Sequence, residues 1–307
     1  MTKLEQGLLS FHSDVEPIEI ILDEQTRNTL ILQLIDSIRR IEYVEAISAR
    51  EISTQRQDPN STLFDPIRAA LKYNREGNYD EACWLIFLFT HFGKNEDTGW
   101  QLCKDIYSGY GSDSWTWERI SSEPNEFEAW YRKTYPMFLN DGVPRKYGNH
   151  RKYESLKPDA RRPIPKIFSS YINWVGATRS HFAKFAEAQY FANESQLDLF
   201  EYLYKSMSAV LSFGRTAKFD YLTMLKKAGL LDIEPTKLYL GGSTGPIAGA
   251  RLLFGENYTV GWTVDSFEER LKELASYLGL DLLGMQVLED SLCNWQKNPR
   301  KYKYFRG

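Results

Sequence analysis

Apolar positions recur at helical spacing along most of this chain. Between residues 26 and 47, Leu30, Ile31, Leu34, Ile35, Ile38, Ile41 and Val44 return to one face of a 3.6-residue repeat, which predicts an amphipathic helix lying on a core. The run from Glu81 to Phe92 is almost wholly apolar and predicts a buried helix. The same reading predicts helices over 65–76, 97–108, 125–134, 166–192, 196–213, 215–228, 246–254, 266–278 and 284–297. Pro, Gly, Asn and Asp break the chain between them without period-2 alternation, so the predicted fold class is all-α. The one long irregular stretch, Leu139 to Ile164, is rich in Gly, Pro, Arg, Lys and Tyr, and long loops in compact domains often carry function.

Composition narrows the class. The 307 residues, 42% apolar and 14% aromatic, suffice for a large core. The three cysteines, Cys83, Cys103 and Cys293, are too dispersed for a disulfide framework and read as buried thiols. The sequence has no apolar run of about eighteen residues, and Met1-Thr2-Lys3-Leu4-Glu5-Gln6 lacks the regions of a signal peptide, so a cytoplasmic protein is expected. A net charge of −3 excludes a histone-like binder, but the charge is uneven. Residues 1–60 hold eleven acids against six Lys and Arg, whereas 141–162 hold seven Lys and Arg against three acids, and Lys297 to Arg306 carries five basic residues. Histidines, cysteines and carboxylates nowhere show metal-ligand spacing, and there is no P-loop or dinucleotide fingerprint, so neither metal nor cofactor is expected.

The most specific chemistry lies between Leu238 and Leu271. A Gly-rich turn, Gly241-Gly242-Ser243-Thr244-Gly245-Pro246, opens an apolar helical run. Such a turn aims backbone N–H groups outward at the positive end of a helix dipole, where a DNA phosphate is a natural ligand, and Pro246 suits a first-turn position. A tight helix-to-helix connection explains the same glycines without any ligand. Asp265 follows twenty residues after Gly245. Asp265 or Ser266, with Glu268 or Glu269, also satisfies a helix N-cap and capping box, a role compatible with catalysis.

This order and spacing resemble the helix-hairpin-helix DNA glycosylases, in which the hairpin precedes a catalytic aspartate. The resemblance implies two packed helical lobes, with residues 1–60 as an N-terminal helical extension, 61–307 as the catalytic domain and the hairpin at 238–254. It also implies that Gly242, Ser243, Thr244 and Gly245 grip DNA, and that Asp265 stabilises the positive charge developing on the sugar as the base departs. Bifunctional members carry a Schiff-base lysine where this chain has Ile247, which points to a monofunctional enzyme that leaves an abasic site. An iron–sulfur cluster would need four C-terminal cysteines, and only Cys293 lies there.

Two further segments, Pro144 to Leu156 and Ser212 to Leu222, joined to the hairpin, are similar to the alpha-glutamyl/putrescinyl thymine pyrophosphorylase family, over roughly residues 80–300. The first interleaves cations with Tyr147, His150 and Tyr153, the pattern of phosphate neutralisation and base stacking, although a solvated basic loop reads the same. In the second, Arg215 and Lys218 share a helical face. The resemblance raises Arg145, Lys146, Arg151, Lys152, Arg215 and Lys218 as contacts to DNA or to a substituent on the base. A pocket for an extruded base needs flat walls, for which Trp84, His91, Tyr147, Asn149, His150, Tyr153, Trp174, Tyr221 and Trp262 are candidates, with ordinary core packing as the alternative for the aromatics.

The preferred expectation is a glycosylase excising a hypermodified base, such as glucosylated hydroxymethylcytosine, from double-stranded phage DNA, a role suited to antiviral defence. The resemblance equally implies a transferase that joins an amine or amino acid to an activated hydroxymethylpyrimidine in DNA with loss of pyrophosphate. A catalytically silent DNA-binding module is the third reading.

Overall fold

The structure, a computed structural model, describes residues 3–195, 198–280 and 283–304. Among them the chain is all-α, with an isolated bridge between Asn95 and Gly99 as its only β feature. The helices are α1 (Lys3–Asp14), α2 (Glu24–Ser48), α3 (Thr54–Gln57), α4 (Pro66–Arg75), α5 (Tyr79–Phe92), α6 (Gln101–Tyr107), α7 (Trp117–Ser122), α8 (Pro124–Asn140), α9 (Ile164–Val175), α10 (His181–Glu194), α11 (Leu199–Ser206), α12 (Arg215–Lys227), α13 (Gly245–Phe254), α14 (Val264–Leu278) and α15 (Gly284–Trp295).

Two compact units emerge. The first comprises Met1–Val44 and Glu234–Arg306, the second Glu45–Ile233. This differs from the expected organisation: residues 1–44 do not form an extension but complete the unit that carries the hairpin. The reason is burial, since Leu8 and Phe11 of α1 and Leu30 and Leu34 of α2 share one core with Leu253, Phe254, Leu271, Leu278 and Trp295. Gly7 lets α1 approach α14 so closely that a Cβ there would collide with the Tyr277 carbonyl.

The second unit is built around α5, whose residues Ala82 to Leu88 are fully buried. Its N-cap is Asn78, and Gly93, at φ +64°, ends it. Trp84 and Phe87 pack on Phe168 and Tyr171 of α9, with the Phe87 and Tyr171 ring centroids 3.8 Å apart. The predicted helix over 166–192 is two helices. Gly176, at φ +108°, closes α9, and Ser180 caps α10 by accepting from the Ala183 N–H. Helices α1, α3 and α7 lie outside the predicted segments; α3 and α7, of four and six residues, are too short to display a period.

Candidate nucleic-acid interface and acidic cavity

Leu238 to Leu240 lead into the Gly-rich turn of the first unit; Leu238 and Leu240 are buried, Tyr239 is half-buried, and among the described residues no sheet accepts their amides. Tyr239 sits at φ +55°, a left-handed conformation that costs a non-glycine residue of order 1–3 kcal/mol. A tight turn follows, the Ser243 N–H donating to the Leu240 carbonyl at 2.9 Å with Gly242 at φ +73°. The Ser243 hydroxyl then accepts from the Ile247 N–H at 3.3 Å, capping α13 from one residue before its Thr244 N-cap. Gly241, Gly242 and Thr244 are exposed. The amides of Gly242, Thr244 and Gly245 make no hydrogen bond among the described residues, which leaves them to solvent or to an anion.

The two kinds of glycine in this turn do different work. A Cβ on Gly241 or Gly242 would meet open space, whereas one on Gly245 would strike the Cys293 thiol and one on Gly249 the Leu292 backbone. Gly245, expected as a phosphate contact, is therefore required first by the packing of α13 on α15. Arg251, on α13, is exposed and makes no ion pair among the described residues.

Asp265 is the second residue of α14, exposed to solvent, with no hydrogen bond among the described residues. The N-cap is Thr263, whose hydroxyl accepts from the Ser266 N–H at 3.2 Å, so the expected capping by Asp265 or Ser266 is corrected. With the cap supplied from outside the helix, the Asp265 carboxylate makes no hydrogen bond among the described residues and lies in the first turn of α14. Glu268, expected only as a capping partner, is buried and accepts from the Leu238 and Leu240 N–H groups, both at 2.6 Å. Its carboxylate supplies the acceptors that a sheet would otherwise provide. Trp262 is half-buried against Phe254 and Phe267, at ring-centroid distances of 5.4 and 5.1 Å.

In the second unit the cations expected on DNA divide into two groups. Arg145 is 3% exposed and spent internally. Its Nε donates to Asp105 at 2.7 Å, Nη2 to Asp141 at 2.6 Å, and Nη1 to the carbonyls of Phe138 and Val143. It is a structural cation, because each of its three nitrogens already donates to a neighbour within the unit. Arg151 is likewise mostly buried, donating through Nε to the Thr90 carbonyl at 2.9 Å and lying 3.8 Å from Asp220. Lys146 pairs with Asp97 at 2.7 Å on the surface. Lys152 is exposed, its Nζ 5.2 Å from the centre of the Tyr153 ring, and Tyr153 is 85% exposed. Arg215 lies over Phe219, and Lys218 over Tyr204 at 4.2 Å while donating to Ser208; partial burial lowers the Lys218 ammonium pKa from its ordinary value.

The expected base-pocket walls also separate. Trp84, Trp174 and Tyr221 belong to the aromatic core, the Tyr221 hydroxyl paired with Tyr171 at 2.7 Å. Asn149 and His150 lie on an exposed helical turn, and Tyr153 projects into solvent rather than lining a wall. His91 and Tyr147 come together at the edge of that core, with ring centroids 5.8 Å apart. The loop reaches them because the Gly148 N–H donates to the Phe92 carbonyl at 2.8 Å and Asn95 holds the Tyr147 carbonyl at 2.9 Å. Both rings carry a buried polar atom, His91 Nε2 and Tyr147 Oη, without a partner among the described residues. Burial pulls the His91 imidazole down to about 3, so it is neutral.

Residues 25–307 match the family described as alpha-glutamyl/putrescinyl thymine pyrophosphorylase clade 3. The chain belongs to that family. No curated protein and no solved structure matches it. The match covers all of the second unit of this pyrophosphorylase-family protein and the first unit from residue 25 onward, leaving α1 outside it.

This family member also has a cavity that sequence reasoning missed. In the second unit a space of about 390 Å³ is lined by Tyr73, Asp80, Glu81, Trp117, Glu118 and Arg179, among others. Glu81 is buried and accepts from the Tyr107 hydroxyl at 2.5 Å and the Trp117 N–H at 2.6 Å. Burial pushes its carboxyl up to about 7. Asp80 accepts from the ring of buried His181 at 2.8 Å, and His181 in turn meets the Tyr171 hydroxyl at 2.8 Å. Burial opposes the Asp80 charge, but the His181 bonds prevail and lower its pKa from the ordinary value. The acids sit in first turns of α5 and α7, a place where helix dipoles favour them, so sequence alone offers no sign that they converge. Asp265 does not line this cavity. Among the described residues, no three His, Cys, Asp or Glu side chains gather as a metal site, and no helix is long and apolar enough to cross a membrane.

Proposed function

We propose that the protein acts on a modified base in double-stranded DNA and hydrolyses its N-glycosidic bond. The observation that carries this reading is the exposed Asp265 carboxylate in the first turn of α14, one helix and loop downstream of a turn whose Gly242, Thr244 and Gly245 amides are open to an anion. The amides and the dipole of α13 bind a backbone phosphate, and Arg251 adds an exposed cation on the same helix. The base leaves with the glycosidic electron pair and is protonated, water adds to C1′ of the deoxyribose, and Asp265 stabilises the cationic sugar and takes the proton from that water. Ile247 offers no amine, so no Schiff base forms and the strand stays intact at an abasic site.

In the second unit, Lys152, Arg215 and Lys218 supply further phosphate contacts, and exposed Tyr153 offers a face for stacking on a base. Hypermodified phage DNA is the favoured substrate, which makes the protein a cytoplasmic antiviral factor. A second reading is favoured by the family description, which names a pyrophosphorylase of substituted thymine. There the protein joins an amine or amino acid to an activated hydroxymethylpyrimidine in DNA, forming a C–N bond as pyrophosphate departs.

Mass spectrometry of phage DNAs of known modification after incubation decides between them. The glycosylase releases free base and leaves alkali-labile sites; the transferase raises the mass of one nucleoside and leaves the backbone stable. Asp265→Asn should abolish base release while DNA affinity stays within a small factor. Full activity in that variant removes the mechanism, and salt-dependent binding without either product identifies a non-catalytic module.

A further inference from the structure

Three features meet at the root of the hairpin, and together they give Glu268 a role beyond filling space. Leu238 and Leu240 are fully buried with no sheet to take their amides, and both donate to the same carboxylate at 2.6 Å. Between them Tyr239 is held at φ +55°, a conformation that a tyrosine adopts only under external constraint. Three residues before Glu268 on the same helix stands Asp265. One side chain therefore ties the strained segment feeding the turn at Gly242 to the helical turn bearing the proposed catalytic carboxylate.

We infer that Glu268 is a positioning residue that holds the hairpin amides and Asp265 in one frame, through the left-handed kink at Tyr239. The inference rests on the nucleic-acid reading of the hairpin given above. Gln at this position keeps the shape but offers one acceptor oxygen to two N–H donors, so one amide of the pair faces an NH₂ group and the kink loses half its restraint. The turn then samples other directions, and its phosphate contact weakens although the core is intact. Glycine adopts the left-handed region freely, so Tyr239→Gly should make the kink independent of the carboxylate.

The test measures binding to a fluorescein-labelled unmodified duplex across a salt series, with thermal unfolding and amide exchange alongside. Glu268→Gln should weaken binding roughly tenfold and flatten the dependence of log K on log salt by about 0.9, the share of one phosphate, while exchange at Leu238 or Leu240 accelerates. Asp265→Asn should alter neither the slope nor that exchange. Adding Tyr239→Gly to Glu268→Gln should restore both affinity and slope, a rescue that a purely structural role for Glu268 would not produce. The positioning role is overturned if Glu268→Gln binds with the parent's affinity and slope, or if the double variant is no better than the single one. Should Glu268→Gln fail to fold, Glu268→Asp, which keeps the charge but withdraws it by one methylene, faces the same two outcomes. A parent that shows no salt-dependent binding at all removes the nucleic-acid reading itself, whereas a parent that binds normally beside an unaffected variant removes only the role of Glu268.

Discussion

Truncating Arg145 to alanine should destabilise the second unit long before it changes DNA affinity. The guanidinium, 3% exposed, bridges Asp105 and Asp141 and also satisfies the carbonyls of Phe138 at the end of α8 and Val143 beyond it. Without it Asp105, whose side chain is 10% exposed, keeps only the Gln101 amide as a side-chain donor among the described residues. Removing one side of a buried pair costs about 3–5 kcal/mol. Asp141 can rehydrate, because its side chain is 20% exposed, so the lower end applies and about 3 kcal/mol is expected. For a unit of this size that lowers Tm by roughly 6–12 °C. Arg145→Lys keeps the charge but cannot span two carboxylates and two carbonyls, and should fall between parent and alanine. Differential scanning fluorimetry and a salt-dependent binding series measure the two quantities separately. If Arg145→Ala leaves Tm unchanged and lowers the salt slope by about one phosphate, the guanidinium is a DNA contact and the structural assignment is wrong.

Glu81 gives a pH-dependent prediction. Burial raises its carboxyl from 4.5 to about 7, so the folded state holds the proton more tightly; the stabilisation is complete below about pH 4.5 and is lost as pH rises through 7. Glu81→Gln, able to accept from Trp117 and donate to Tyr107, should remove on the order of 3 kcal/mol of that decline, and a urea midpoint that still falls between pH 5 and 8 in the variant contradicts the assignment. Gly249→Ala should cost about 1–3 kcal/mol because its Cβ meets the Leu292 backbone, whereas Gly241→Ala should be neutral in urea unfolding; equal effects would refute the packing account of α13. Replacing Lys152, Arg215 and Lys218 together by glutamine should reduce the salt slope of DNA binding by about 2–3 with little change in Tm, and an unchanged slope would take these three cations out of the interface.

Several features were legible in the residues alone because they depend on nearest neighbours. The period of Leu30 to Val44 marks α2, Pro246 and the glycines before it mark the start of α13, and Asp265 falls at the head of the following helix. Aromatic content announced a large core, but not which rings would build it: Trp84 and Tyr221 look in sequence like any stacking residues and are buried among other rings. The break at Gly176 was hidden because apolar residues continue on both sides of it.

What the chain determined by itself is local: helical periodicity, turn chemistry and the spacing of a carboxylate behind a glycine-rich turn, all set by backbone sterics and by hydrogen bonds a few residues long. Tertiary structure decided the rest, because the fate of a charge depends on what arrives from far along the chain. Arg145 and Lys152 both read in sequence as cations of one basic loop, yet Asp105, forty residues before Arg145, holds that guanidinium inside the unit while Lys152 stays exposed. Glu268 read as a cap and became the acceptor for amides twenty-eight and thirty residues earlier, because buried backbone outside any helix must find its hydrogen bonds somewhere.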